Sequence, residues 1–220
     1  MRQLLKQQER GSLRQPILQA ARTLFLELGY ERFSMRRLAR EIGYSPTTIY
    51  IYFRDKQALL LALCEEIAEF YLARLQLLQR EEQHPVKRVR RAFLLCVQFG
   101  LERPDHYRVA FFTHPRVYGA PEDFMRQDTV ARRTYCLLLN MVRECVVQGH
   151  FRPLDPVLAT QSLWTAMYGV IAQALFTHDF PLAQPEVLAG SLLESLLGDY
   201  QTVAKQPEKP KDASDEKTQS

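Results

Sequence analysis

Ile17, Ala21, Leu24, Phe25 and Leu28 recur at helical spacing and predict one apolar helix face between about Leu13 and Leu28. Gly29 is the natural stop, because glycine accepts the left-handed conformation that often follows a helix end. Ser34 suits the cap of a second helix through Ile42, with Met35, Leu38, Ala39 and Ile42 facing inward. Gly43 and Tyr44 form a turn. Ser45 can cap a third short helix, and Pro46 fits its first position, where no backbone N–H is needed. Ile49 and Phe53 lie four apart and can bury together against the first two helices. Asp55 caps a fourth helix, from about Lys56 to Arg80, with Leu59, Leu60, Leu63, Ile67, Phe70, Tyr71 and Leu75 along it.

A helix that long cannot be used up by a small three-helix head, so it predicts a physical link to a second domain. Further helices are predicted at about 85–102, 105–112, 122–148, 154–177 and 185–200. Pro104, Pro115, Pro121, Pro153, Pro156, Pro181 and Pro185 stand at their starts or connections. The expected fold is all-α: a helix-turn-helix head joined by a long helix to a helical bundle. The expected divisions are a flexible basic arm at 1–12, the head at 13–58, a regulatory and dimerisation bundle at 59–202, and a disordered tail at 203–220. That tail is polar and lacks aromatic residues.

Charge sharpens this picture. Residues 1–56 hold 11 Lys or Arg against 5 Asp or Glu, a net of +6; the remainder holds 18 against 20, a net of −2. Local positive charge is what phosphate attraction requires. Cys64, Cys96, Cys136 and Cys145 form no CxxC pair and lie in apolar helical contexts, which points to buried thiols in a reducing compartment. The polar beginning MRQLLKQQERGS has no apolar run of signal-peptide type, and no stretch approaches the length of a membrane span. A cytoplasmic protein with no membrane partner is expected.

The third helix carries the candidate chemistry. A helix fits the major groove of B-form DNA, and its first residues come closest to the base edges. Here those residues are Ser45, Pro46, Thr47 and Thr48, whose short side chains permit close approach. A Thr methyl can touch a thymine methyl. Tyr50 and Tyr52 can bring hydroxyls to backbone phosphates, and Ile51 is apolar where the core pattern does not need it. Lys56, Arg36, Arg37 and Ser34 are candidates for phosphate contacts that set register and affinity. Capping, packing and ordinary solvation are the plainer roles for several of these residues taken singly.

The stretch ILQAARTLFLELGYERFSMRRLAREIGYSPTTIYIYFRDKQALLLAL, residues 17–63, resembles the DNA-binding domain of the TetR family of bacterial one-component regulators. The Gly29–Tyr30 pair resembles the end of that family's first helix. SPTTIYIYFRDKQALL resembles its recognition helix and the start of its fourth helix. The resemblance implies that Thr47, Thr48, Tyr50, Ile51, Tyr52 and Lys56 lie at or near DNA. Pro46–Thr47 departs from the family, where a basic residue followed by Gly or Ala is common, and this bears on operator preference. WTAMYGVIAQALF more weakly resembles a C-terminal subclass with a Trp and a His-Gly pair. Trp164 and Gly169 are present, but Tyr168 stands where His is usual.

One reading helix touches few base pairs, so a homodimer on a palindromic operator is expected. Leu163, Met167 and Ile171 on one late helix, and Leu188, Leu192, Leu193 and Leu196 on the other, are the candidate dimer residues, forming a four-helix interface with a second copy. The resemblance implies a small-molecule effector pocket, for which Phe99, Tyr107, Phe111, Phe112, Tyr135, Asn140, Trp164 and Tyr168 are candidates; core packing accounts for the aromatics equally well. His106, His114 and Arg108 are further polar candidates. No metal-ligand spacing, phosphate-binding glycine loop or nucleophile elbow is present, so neither a metal, a cofactor nor an enzyme is expected. The leading expectation is a homodimeric repressor released by a small apolar or amphipathic ligand. An activator or effector-independent regulator would use the same DNA contacts. A helical interaction module without DNA binding is the reading of another class.

Overall fold

The computed structural model describes residues 2–112, 116–177, 179–181 and 183–201, and excludes the side chains of 2–12, Phe112 and Pro121. The disordered-tail expectation therefore lies outside the described residues. Ten helices form the described fold: α1 (Arg2–Arg32), α2 (Met35–Glu41), α3 (Pro46–Tyr52), α4 (Lys56–Glu81), α5 (Pro85–Glu102), α6 (Pro104–Phe112), α7 (Pro121–Phe124), α8 (Val130–Val147), α9 (Pro156–Phe176) and α10 (Pro185–Tyr200).

Most starts are chemically marked. The side chains of Ser34, Ser45, Asp55, Thr129 and Asp155 each accept a backbone N–H from the first turn that follows. Gly29 interrupts α1 with φ 71°, a left-handed conformation suited to glycine. Two boundaries differ from expectation. The backbone is already helical from Arg2, so the expected arm before Leu13 continues α1. The helix expected at 122–148 is two pieces, because Thr129 is extended (φ −107°, ψ 154°) and starts α8 afresh by accepting from Arg132 N–H.

Two hydrophobic cores form, and α4 belongs to both. Leu59, Leu60, Leu63 and Cys64 pack with Ile17, Leu24, Phe25, Leu38, Ile49 and Phe53 of the head. Tyr71, Leu75 and Leu78 pack with Val89, Phe93, Leu138, Met141, Leu163 and Met167. The head core also takes in Val109 of α6 and Val117, so a boundary at 58/59 cuts through a shared interior. Arg22 of α1 pairs with Glu66 of α4 at 2.7 Å, adding a charged tie to this junction.

Arg88 braces the bundle from a nearly buried position. It donates to the Glu82 and Gln83 carbonyls and, at 2.7 Å, to the Glu144 carboxylate of α8. At the far end Arg152 N–H donates to the Tyr200 carbonyl and its guanidinium meets Asp199 at 2.8 Å, fastening the end of α10 beside the α8–α9 connection.

The late helices correct part of the dimer expectation. Leu163, Met167, Ile171 and Leu193 are fully buried within one chain, because α9 and α10 turn these positions toward α5 and α8. They cannot reach a partner. Leu188, Leu192 and Leu196 are half-buried at the edge of the same core. Accordingly, Leu193→Ala should destabilise the subunit itself by about 2–5 kcal/mol, the range for emptying a packed leucine site, as read by denaturant unfolding.

Candidate functional site: an outward-facing helix and an apolar cavity

The head presents α3 with its capping network visible at the surface. Ser45 Oγ accepts the Thr48 N–H at 3.1 Å and lies 2.9 Å from the Thr48 hydroxyl. This bond fixes the first turn of α3. Ile49 and Phe53 are buried against the head core, which turns the opposite face outward. Ser45, Pro46 and Thr47 are exposed, as are Tyr50 (49% exposed) and Ile51 (58%), while Thr48 and Tyr52 are half-buried. Tyr52 packs at the rim of the head core, so its ring serves the fold as well as any surface role.

The flanking basic residues separate into two groups. Arg36 and Arg37 of α2 are exposed, and Ser34 caps that helix through the Arg37 N–H at 3.2 Å. Lys56 is instead drawn inward. Its ammonium donates to the Tyr30 carbonyl at 3.2 Å and lies 4.1 Å from the Tyr30 ring centroid. It therefore clasps the end of α1 to the start of α4. Tyr44, 48% exposed in the turn before α3, is an outward aromatic that the sequence reading assigned only to the turn.

A cavity of about 600 Å³ lies in the bundle between α4, α5, α6, α8 and α9. Phe99, Tyr107, Phe111, Tyr135 and Trp164 line it. Tyr168 is not in the wall; its ring stands near those of Tyr107 and Phe111, at 6.3 and 5.9 Å between centroids. Asn140 is excluded, because it lies on the solvent face of α8 and accepts from Arg143. The Phe112 side chain and His114 lie outside the described residues. His106 faces a separate polar cleft with Arg22 and Arg103, where burial and then those two cations hold its pKa down. Arg108 donates to the Leu175 carbonyl at the end of α9.

Sequence reasoning missed the α4 wall: Cys64, Ile67, Ala68 and Tyr71. Their apolar periodicity is the same whether they face packed atoms or space. It also missed Thr134, whose signal was present: a polar residue in register with the buried Val130 and Leu138. Burial pushes the Cys64 and Cys96 thiols up to about 12, so both remain protonated and poorly reactive.

Glu65 links this cavity to the head helix. From α4 its carboxylate accepts the Val130 N–H at 2.5 Å and the Ala131 N–H at 3.3 Å, at the start of α8. A negative group is favoured there, where unpaired amides and the helix dipole converge. The Tyr118 hydroxyl, from a residue in the cavity wall, donates to the same carboxylate at 3.2 Å. No cluster of three metal-ligating side chains occurs among the described residues, and none of their helices is long and apolar enough to cross a membrane.

Comparison with known proteins agrees along the length of the chain. Residues 17–63 match the family model for bacterial regulatory proteins of the tetR family, and residues 89–200 match that for the tetracyclin repressor-like C-terminal domain. An HTH-type transcriptional repressor of Mycobacterium tuberculosis is 46% identical over 56 residues, which span 26% of this chain and only 30% of that relative. The nucleoid occlusion factor SlmA of Klebsiella pneumoniae is 26% identical over 84% of this chain and 97% of its own. In fold, a TetR family regulator from Marinobacter aquaeolei superposes with a TM-score of 0.67 at 22% identity, covering 89% of this chain and 98% of its own. The regulator PfmR from Thermus thermophilus gives 0.64 at 24% identity, covering 83% and 97%. With both halves matched in order on an all-helical scaffold, the chain belongs to the TetR family of helix-turn-helix transcriptional regulators.

Proposed function

We propose that this DNA-binding regulator is a homodimeric repressor, released from a palindromic operator by a small apolar or amphipathic ligand held in the bundle cavity. One observation carries the reading. Helix α4 starts at the recognition head, and its middle supplies Cys64, Ile67, Ala68 and Tyr71 to the cavity wall. A ligand pressing on this wall acts on the same helix that positions α3. Glu65 adds a second route, through Tyr118 and the start of α8.

The dimer face in this reading is the outward side of α9 with the edge of α10. Leu158 (62% exposed) and Phe176 (49%) lie on the exposed side of α9, with the half-buried Gly169 between them. Leu188, Leu192 and Leu196 border them. A side chain at Gly169 would meet nothing of its own subunit within 4 Å. In the dimer the two α3 helices enter successive major grooves, about 34–36 Å apart. Ligand and operator then exclude one another reciprocally.

A second reading follows from the broad match to the nucleoid occlusion factor, which covers far more of this chain than the match to the named repressor. Selecting genomic DNA fragments with the purified protein separates the two. A palindrome recovered at promoters supports the repressor. Many sites dispersed away from promoters would favour the occlusion reading, and no enriched sequence at low or moderate salt would remove both.

Ile51→Ala should weaken operator binding roughly 5- to 100-fold, the worth of one base contact, with unchanged thermal stability. Fluorescence anisotropy on labelled operator reads the first and a melting curve the second. Gly169→Arg should leave the helical content intact and weaken dimerisation about tenfold or more through overpacking, as followed by sedimentation. Glu65→Gln should change operator affinity roughly two- to thirtyfold without touching DNA. Unaltered affinity would remove the Glu65 route.

A further inference from the structure

The cavity has a definite electrical character. Among its described lining residues there is no Lys, Arg, His, Asp or Glu. Aromatic rings from five directions dominate it, including Tyr71, Phe99, Tyr107, Phe111, Phe124 and Trp164. Three hydroxyls in the wall are committed to protein acceptors. The Tyr71 hydroxyl donates to the Ala92 carbonyl at 2.8 Å, and the Thr134 hydroxyl donates to the Val130 carbonyl at 2.9 Å. The Tyr118 hydroxyl donates to Glu65. These protons are spent, so the three hydroxyls offer a ligand lone pairs rather than donors.

An anion entering this space would lose its water and find neither a cation nor those three donors. The adjoining carboxylate of Glu65 would also repel it. A cation gains from ring faces. However, the Glu65 carboxylate already accepts from two amides and a phenol, and it does not line the space. Burying either charge without a partner is strongly disfavoured.

We infer that the effector is an uncharged, ring-rich molecule, and that the cavity rejects carboxylates, phosphates and ammonium compounds of the same shape. This rests on the cavity being the effector site. It narrows the ligand from apolar or amphipathic to electroneutral.

Three compounds with one ring system test it: 1-pyrenemethanol, 1-pyrenecarboxylate and 1-pyrenemethylammonium. Trp164 is the only tryptophan of the chain and lies in the wall. Quenching of its emission in the full-length protein at neutral pH therefore reads occupancy directly. The alcohol should bind more tightly than either ion by on the order of a hundredfold. Ala68→Phe and Ala110→Phe, which fill the space from two different helices, should each weaken the alcohol at least about tenfold, with circular dichroism confirming folding.

Equal or tighter binding of the carboxylate or the ammonium compound overturns the inference while leaving the effector reading in place. Alcohol binding that survives both filled variants, each shown to be folded, places the compound elsewhere and also overturns it. Binding by none of the three overturns the inference and the effector reading together.

Discussion

The structure depends on one helix being shared by two interiors. A free three-helix head of this size would have a small core and marginal stability. Here Leu59, Leu60, Leu63 and Cys64 complete that core, while Tyr71, Leu75 and Leu78 of the same helix complete the bundle. An α-helix is stiff over its length, so α4 cannot shift at one end without consequence at the other. Val109 and Val117 reinforce the arrangement from the bundle side, and the Arg22–Glu66 pair ties α1 to the middle of α4. The head core and the bundle core are thereby placed on a single mechanical element.

The recognition surface follows from a division of labour over a few residues. Ile49 and Phe53 hold α3 to the head, and Ser45 fixes its first turn. What remains outward is short, aromatic or aliphatic: Pro46, Thr47, Tyr50 and Ile51. The seven residues of α3 are too few to form a stable helix alone. Its conformation is held by the burial of Ile49 and Phe53 and by the caps at both neighbouring helix starts. Lys56 contributes by closing the α1–α4 junction over Tyr30.

The cavity and Glu65 form the complementary half. A packed bundle tolerates few voids, because each lost contact forfeits dispersion energy. A space of about 600 Å³ lined by α4 to α9 therefore forgoes packing contacts that a filled bundle would make. The carboxylate of Glu65 sits where α8 needs a negative cap, so the start of α8, Tyr118 and α4 are held by one group. That arrangement ties the cavity wall, the start of α8 and the helix entering the head through one carboxylate.

The helices, their caps and the head were legible because they are written in local signals. Ser34, Ser45 and Asp55 cap where they stand in the chain, and the periodicity of Ile17, Leu24 and Leu28 declares a buried face without reference to any neighbour. The family resemblance at residues 17–63 drew on the same local chemistry. The roles of Leu163, Met167, Ile171 and Leu193 were not legible, nor were those of Cys64, Ala68 and Asn140. An apolar residue at helical spacing reads identically whether it meets its own core, a second subunit or an empty space. Only the packing of α9 and α10 against α5 and α8 assigned the first four to the interior. Only the gap between α4, α8 and α9 made Cys64 and Ala68 a wall and left Asn140 outside. The sequence by itself determined the apolar face of the head helices and the starts of α2, α3 and α4, where a capping side chain marks the boundary locally; the tertiary structure decided what each face touches, because burial is a property of neighbours distant along the chain.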